Sequence, residues 1–211
     1  ASTHVIGIED SMPKLIAERI IMPAVTREPP LCIRCHEGGL DTLHADLAVN
    51  KLDLLLSDQP VPRGLGIKAY DHALGGSGLT FFAPKGKARG YSAKFPASLH
   101  GARMLLPTQH SALRRRLDDW FDANDLAPTV VGEFDDSALL KAFGEAGAGL
   151  FVAPTAIEAE ITRMYRANPI GRTDDITESY FAISAERRLL HPAVVSITEA
   201  ARSGLFPGDT A

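Results

Sequence analysis

Acidic and hydroxyl side chains gather in this sequence at the short joints where an apolar, β-branched run gives way to a helical pattern. Asp10 and Ser11 follow the run His4–Ile8, Glu37, Gly38 and Gly39 follow Leu31–Cys35, and Asp58 and Gln59 follow Leu52–Leu56. Farther on, Thr108, Gln109 and His110 follow Met104-Leu105-Leu106. Asp135, Asp136 and Ser137 follow Thr129–Phe134, and Pro154-Thr155 follows Leu150–Ala153. In an open α/β sheet these joints are the carboxyl ends of strands and the N-termini of the next helices, where backbone N–H groups point at a ligand. The chemistry they offer is binding. Hydroxyls and amides suit small anions, whereas clustered carboxylates (Glu9, Asp10, Glu37, Asp58, Asp135, Asp136) disfavour an acid and favour a hard cation with oxygen ligands. Asp10, Asp58, Asp135 and Asp136 are the cation candidates. The same residues also have plain structural uses: Ser11, Ser111 and Ser137 are good helix N-caps, Asp135 and Asp136 complement a helix dipole, and His110 suits a hydrogen-bonded loop.

Catalytic patterns are missing. The two cysteines stand in Cys32-Ile33-Arg34-Cys35-His36, formally a c-type haem attachment pattern. On a strand, side chains three apart point to opposite faces, so the two sulfurs do not serve one haem. They read instead as small apolar thiols packed in a strand. No G-x-S-x-G, H-E-x-x-H or Walker motif occurs, and His36 and His44 lack helical zinc-ligand spacing. Neither an enzyme nor a cofactor is expected.

The elements that position these joints alternate. The strand His4–Ile8 leads to a helix carrying Leu15, Ile16 and Ile20, with Asp10 or Ser11 as N-cap, Pro13 in the first turn and a stop at or before Pro23. The strand at 31–35, a helix with Leu40, Leu43 and Leu47, and the buried strand Leu52–Leu56 complete a β-α-β-α-β series. A bridge from Leu65 to Gly78, flexible at Gly75-Gly76-Ser77-Gly78, leads to the strand Leu79–Ala83. A second series then runs from Met104 to Ser184. Its first helix carries the stripe Leu113, Leu117, Trp120 and Phe121, beside the charge run Arg114-Arg115-Arg116, which reads as a solvated face. His191-Pro192 opens a final helix with Val194, Val195, Ile197 and Ala201. The pattern predicts an α/β fold of two Rossmann-like lobes.

Composition sets limits. The chain has 211 residues, 45% of them apolar and 23% charged, which is globular composition. Its net charge of −4 and pI of about 6.0 argue against a free-standing nucleic-acid binder. No apolar stretch is long enough to span a membrane. The sequence starts at Ala1 with no secretory leader pattern, which fits a processed protein or a cut fragment.

Three stretches carry a resemblance. "LHADLAVNKLDLLLSD" resembles the L-x5-D segment that closes the first lobe in LysR-type transcriptional regulators. "AGAGLFVAP" at 146–154 resembles the family's G-x-G-[IV]-x-x-x-P segment, and "ERRLLHPAVVSITEAAR" resembles the helix that returns to the first lobe. Within the family, "IEDSMPKLIAERI", "LDLLLSDQPVP" and "GEFDDSALLKAFGEAGAG" are similar to the members that activate a sodium/proton antiporter gene.

The resemblance implies a periplasmic-binding-protein-like (type II) effector-binding module. Lobe I would be 1–76 plus 187–211 and lobe II 77–186, joined by two crossover segments. It implies an effector in the interlobe cleft, with contacts matching Ser11 and Thr108 to Ser111; the strand ends themselves supply the candidates Asp10, Ser11, Gly38, Gly39, Asp58, Thr108, Gln109, His110, Asp135, Ser137 and Pro154, with sodium, lithium or a small ligand as effector. It implies a homodimer or tetramer, with the helices near 12–22 and 111–126 as interface candidates. DNA contacts would belong to an N-terminal winged helix-turn-helix outside this chain, in a cytoplasmic regulator. A transporter's solute-binding protein, with the same fold class, is the alternative.

Overall fold

The structure is a computed structural model and describes residues 3–186, 192–201 and 206. His191, expected to open the last helix, lies outside the described residues. The chain divides into two compact units, Ala1–Gly76 with Ser179–Ala211, and Ser77–Glu178.

In the first unit, β1 (Thr3–Glu9), α1 (Lys14–Thr26), β2 (Cys32–Gly38), α2 (Leu40–Ala48) and β3 (Leu54–Ser57) alternate as the apolar runs predict. β1 lies between β2 and β3, parallel to both. All of β3 is buried, which is why it reads as an unbroken apolar run. Its far edge is covered by the end of β8 (Ala167–Ser184), which pairs antiparallel through Leu55↔Ile183 and Ser57↔Phe181. That pairing draws residues 179–186 into the first unit, earlier than the boundary expected at 187. The final helix, α7 (Pro192–Ala200), packs against α1.

α1 departs from expectation at both ends. Pro13 is the N-cap, with φ −59° and ψ 129°, so neither Asp10 nor Ser11 caps the helix. The helix also runs through Pro23 to Thr26. A mid-helix proline forfeits one backbone hydrogen bond, yet Ile20, Ile21 and Ala24 are buried on both sides of it and hold the last turn against the sheet.

The second unit contains α3 (Ala88–Ser92), β5 (Arg103–Pro107), α4 (Ala112–Ala123), β6 (Thr129–Phe134), α5 (Ser137–Glu145), β7 (Phe151–Pro154) and α6 (Glu158–Tyr165). β5 is parallel to β6 and is tied to β7 by Leu105 N–H donating to Leu150 O and Leu150 N–H to Arg103 O, both at 2.8 Å. β7 in turn pairs antiparallel with β4 (Tyr70–Pro84) from Leu79 to Phe82. The core is aromatic: Phe81 lies 5.3 Å from Trp120 and 5.4 Å from Phe95 between ring centroids. Leu117, Trp120 and Phe121 are buried in it, so the α4 stripe is consumed by its own core.

β4 and β8 are much longer than the runs read from sequence, and each passes through both units. Gly75–Gly78 is therefore strand, not a flexible bridge. Gly78 is required by a close approach, since a Cβ there would stand 2.8 Å from Thr173 O on β8.

Candidate functional site

Three parallel strands ending side by side bring their carboxyl-end residues together in the first unit. Asp10 N–H donates to Gly38 O at 3.0 Å, joining the ends of β1 and β2. Ser11 Oγ donates to Asp58 Oδ2 at 3.1 Å, joining β1 to β3, and Ser57 Oγ donates to Glu9 Oε2 at 2.5 Å beside it. The Ser57 hydroxyl also accepts from Gln59 N–H at 3.0 Å. Gly39, exposed, is the N-cap of α2. Asp10, Ser11, Gly38, Gly39 and Asp58 thus share one end of the sheet, with Glu9 and Ser57 buried beneath them. The rim carries an exposed ion pair, Lys14 Nζ to Glu37 Oε2 at 2.7 Å.

The second unit repeats the arrangement. Thr108 Oγ1 donates to Asp135 Oδ1 at 2.6 Å, and Thr108 N–H donates to Phe134 O at 3.1 Å, joining the ends of β5 and β6. Ser111 caps α4 by accepting from Arg114 N–H at 3.4 Å. Asp136 caps α5 by accepting from Ala138 N–H at 2.7 Å and Leu139 N–H at 3.3 Å. Ser137 is the first residue of that helix, and Gln109 and His110 are exposed in the turn before α4. Pro154 closes β7 opposite Leu79, and just beyond it Ala156 N–H donates to the buried Ser77 hydroxyl at 3.0 Å. Thr80 Oγ1 lies 3.0 Å from Thr155 Oγ1 and donates to Glu158 Oε2 at 2.7 Å. Glu158 is also paired with Arg172, whose guanidinium, with the Thr80 hydroxyl, holds the carboxyl below its usual range against the effect of burial.

Of the carboxylates read as a cation cluster, Glu9, Glu37, Asp58, Asp135 and Asp136 are each engaged by a hydroxyl, amide or ammonium donor. Among the described residues, no three His, Cys, Asp or Glu side chains stand so as to hold a metal ion. His36 is exposed on β2, whereas His44 is buried in α2 among Leu43 and Leu47, and burial keeps its imidazole below its usual value.

Several features escaped the sequence reading. The first of the three consecutive arginines is no solvated residue: Arg114 is 5% exposed. Its guanidinium donates to both Asp118 oxygens at 3.0 and 3.1 Å, to Glu133 Oε2 at 2.6 Å and to Pro107 O at 2.7 Å, tying α4 to β5 and β6. Arg115 and Arg116 are exposed as expected. Lys141, on α5, is 6% exposed, and burial, partly offset by Glu178 and then Asp136, pushes its pKa down to about 8. The thiols of Cys32 and Cys35 are exposed rather than packed, because β2 is the edge of its sheet and only one side of it is covered. Cys35 lies on the same face as Ile33 and borders a half-open apolar groove of about 300 Å³, which α1 closes with Ala17, Ile21, Met22 and Val25.

Comparison with known proteins matches these elements as a set. The model of the LysR substrate binding domain matches residues 2–205. The transcriptional activator protein NhaR of Escherichia coli (strain K12) is 34% identical over 201 residues, covering 95% of this chain and 66% of that protein. The chain thus spans just under two thirds of that relative's length. Among solved structures, HinK, a LysR family transcriptional regulator from Pseudomonas aeruginosa, superposes with a TM-score of 0.74 at 14% identity, over 97% of this chain and 70% of HinK. The CcmR regulatory domain of Synechocystis PCC6803, in complex with 2-PG, superposes with a TM-score of 0.70 at 12% identity, over 96% of this chain and 97% of that one.

Proposed function

Since the chain belongs to the LysR substrate-binding domain family and is a regulatory domain of that type, we propose that it senses a small effector at the strand ends just described and passes the signal to transcription by the full-length protein. The observation that carries this reading is the pairing of the strand ends. Asp10 with Gly38, Ser11 with Asp58, and Thr108 with Asp135 form polar joints built from loops on rigid β-edges, which suits reversible binding. The proposed role is binding.

The effector proposed is sodium, lithium or a small organic ligand. The resemblance to regulators of a sodium/proton antiporter gene favours the monovalent cation, with Asp10 and Asp58 in the first unit and, separately, Asp135 and Asp136 in the second as candidate oxygen donors. Calorimetric titration with sodium chloride, choline chloride and lithium chloride separates the choices. Heat from sodium and lithium but not choline supports the cation. An identical response to all three removes it and leaves the organic ligand.

The proposed partners are a second copy of the chain and, through an N-terminal domain in the parent protein, DNA, in the cytoplasm. No helix among the described residues is long and apolar enough to cross a membrane. For the dimer, the exposed apolar side chains are not on α4, whose stripe is buried. Those that pair on one helix are Met22 and Val25 on α1, at 44% and 41% exposure, and Leu139 and Phe143 on α5, at 52% and 46%. These two faces are the proposed contact surfaces. Phe143→Asp would then shift sedimentation toward monomer, and an unchanged distribution would discard α5 as a contact.

A further inference from the structure

The chain's net charge of −4 hides an uneven distribution. From residue 72 to residue 117 it has no Asp or Glu, while lysine and arginine recur. Part of that stretch, from the end of β4 through α3, folds as a tight excursion of the second unit. Lys87 N–H donates to Pro84 O at 3.0 Å, which closes the turn, and Ala93 N–H donates to Arg89 O at 3.4 Å, which carries the helical course on toward Lys94. Ala88, Tyr91 and Phe95, three and four positions apart, pack on the aromatic core. With that side fixed inward, Lys85, Lys87, Arg89 and Lys94 are all left exposed.

A second segment of the same unit adds to them. Lys85 N–H donates to Arg166 O at 3.0 Å, so the turn meets the C-cap of α6. Arg166 and Arg163, one helical turn earlier, are exposed as well. The acids of α6, Glu158 and Glu160, lie in its first turn, at the other end of the helix, and Glu158 is taken by Arg172. None of these cations makes an ion pair or a side-chain hydrogen bond among the described residues.

We propose that this basic surface, Lys85, Lys87, Arg89 and Lys94 with Arg163 and Arg166, is a docking face for the phosphate backbone of duplex DNA, a second grip beside the one proposed for the parent's N-terminal domain. It rests on the reading of the chain as part of a DNA-bound regulator. Phosphates are held by charge and need no apolar contact, whereas a protein interface is built around buried aromatic or aliphatic anchors. Between the cations of 85–94 stand only glycine, alanine, serine and the core-packed Tyr91, and Met164 is the only large apolar side chain exposed in the two segments. That composition fits a polyphosphate better than an acidic protein. Backbone contacts read no base sequence, so the surface adds affinity and orientation while target choice stays elsewhere.

Fluorescence anisotropy of a labelled duplex of arbitrary sequence, titrated with this chain across a salt series, tests the docking face. Each phosphate engaged contributes about −0.9 to the slope of log affinity against log salt, so about four contacts make a fourfold rise in salt weaken binding about 150-fold. Lys87→Ala combined with Arg89→Ala should cut that loss to about 12-fold. Arg115→Ala removes an exposed cation of α4 and should leave the wild-type dependence intact. No binding of the duplex at low salt, a salt dependence unchanged in the double variant, or an equal fall in the Arg115→Ala chain would each overturn the proposal. Tighter binding of a labelled polyglutamate than of the duplex would overturn it too, in favour of an acidic protein. The calorimetric titration reads the strand ends and not these cations, so the effector reading and the docking face fail separately.

Discussion

Replacing Arg114 by methionine keeps most of the buried aliphatic stem and removes only the guanidinium. The lost contacts are the two bonds to Asp118, the one to Glu133 and the one to the Pro107 carbonyl. Deleting one partner of a fully buried pair costs about 3–5 kcal/mol because the other charge is stranded. Here the stranded carboxylates are not buried: the Asp118 and Glu133 side chains are 42% and 46% exposed and recover water. What remains is the loss of charge-assisted bonds and an unsatisfied, half-buried Pro107 carbonyl, together about 2–3 kcal/mol. For a chain of this length that lowers the thermal midpoint by about 5–10 °C. Urea unfolding followed by the fluorescence of Trp120, the single tryptophan and a residue of the same helix, reads the loss directly. Arg115→Met is the control, because Arg115 is exposed and its replacement should stay within about 0.5 kcal/mol. A loss for Arg114→Met no larger than the control's would refute the view of Arg114 as the tie between α4 and its two strands. A double-mutant cycle with Glu133→Gln should show positive coupling.

Three further outcomes are expected. Gly144→Ala gains helix propensity but drives a methyl into the Phe151 ring, so the net effect is a destabilisation of about 1–3 kcal/mol, and a raised thermal midpoint would contradict it. Burial and the neighbouring Glu37 push the Cys35 thiol up, so iodoacetamide at pH 8 should label Cys32 before Cys35 in a mass-spectrometric time course. The Glu158 carboxyl is held down in the folded chain, so its stabilisation is present above the usual carboxylate range and is lost as pH falls through the depressed value. Glu158→Gln should flatten the acid limb of a stability–pH curve, by about 1 kcal/mol at most since Arg172 is largely exposed.

What could be read before the structure follows from the strands. Apolar runs ending in polar pairs mark the carboxyl ends of parallel strands, and parallel strands deliver those ends to one side, so Ser11 and Asp58, forty-seven positions apart, could be placed together. Arg114 was legible too, through helical phase: it sits three and seven residues before Leu117 and Phe121, on their face, and the run of like charges concealed it. Lys141 was concealed by Gly144, which contributes no apolar side chain to the stripe it belongs to. The exposure of Cys32 and Cys35 depends on β2 being an edge strand, and strand order is a property of pairing that no local pattern contains. Gly75–Gly78 misled for a related reason, since a glycine needed for close approach looks, in one dimension, like a glycine needed for flexibility.

The division of the chain has a consequence for how the protein is made. Residues 77–178 form a continuous stretch set inside a unit built from both ends of the chain. The ribosome therefore completes the second unit while the first still lacks the end of β8 and all of α7. Until Phe181–Ile183 emerge, the fully buried strand Leu54–Ser57 has an open edge and α1 has no α7 to pack against. The nascent chain is thus a finished domain tethered to an unfinished one that displays an apolar, unpaired strand, the kind of surface that chaperones cover and that aggregates when they do not. Folding of the first unit is timed by its last residues, although its first strand is made well before them.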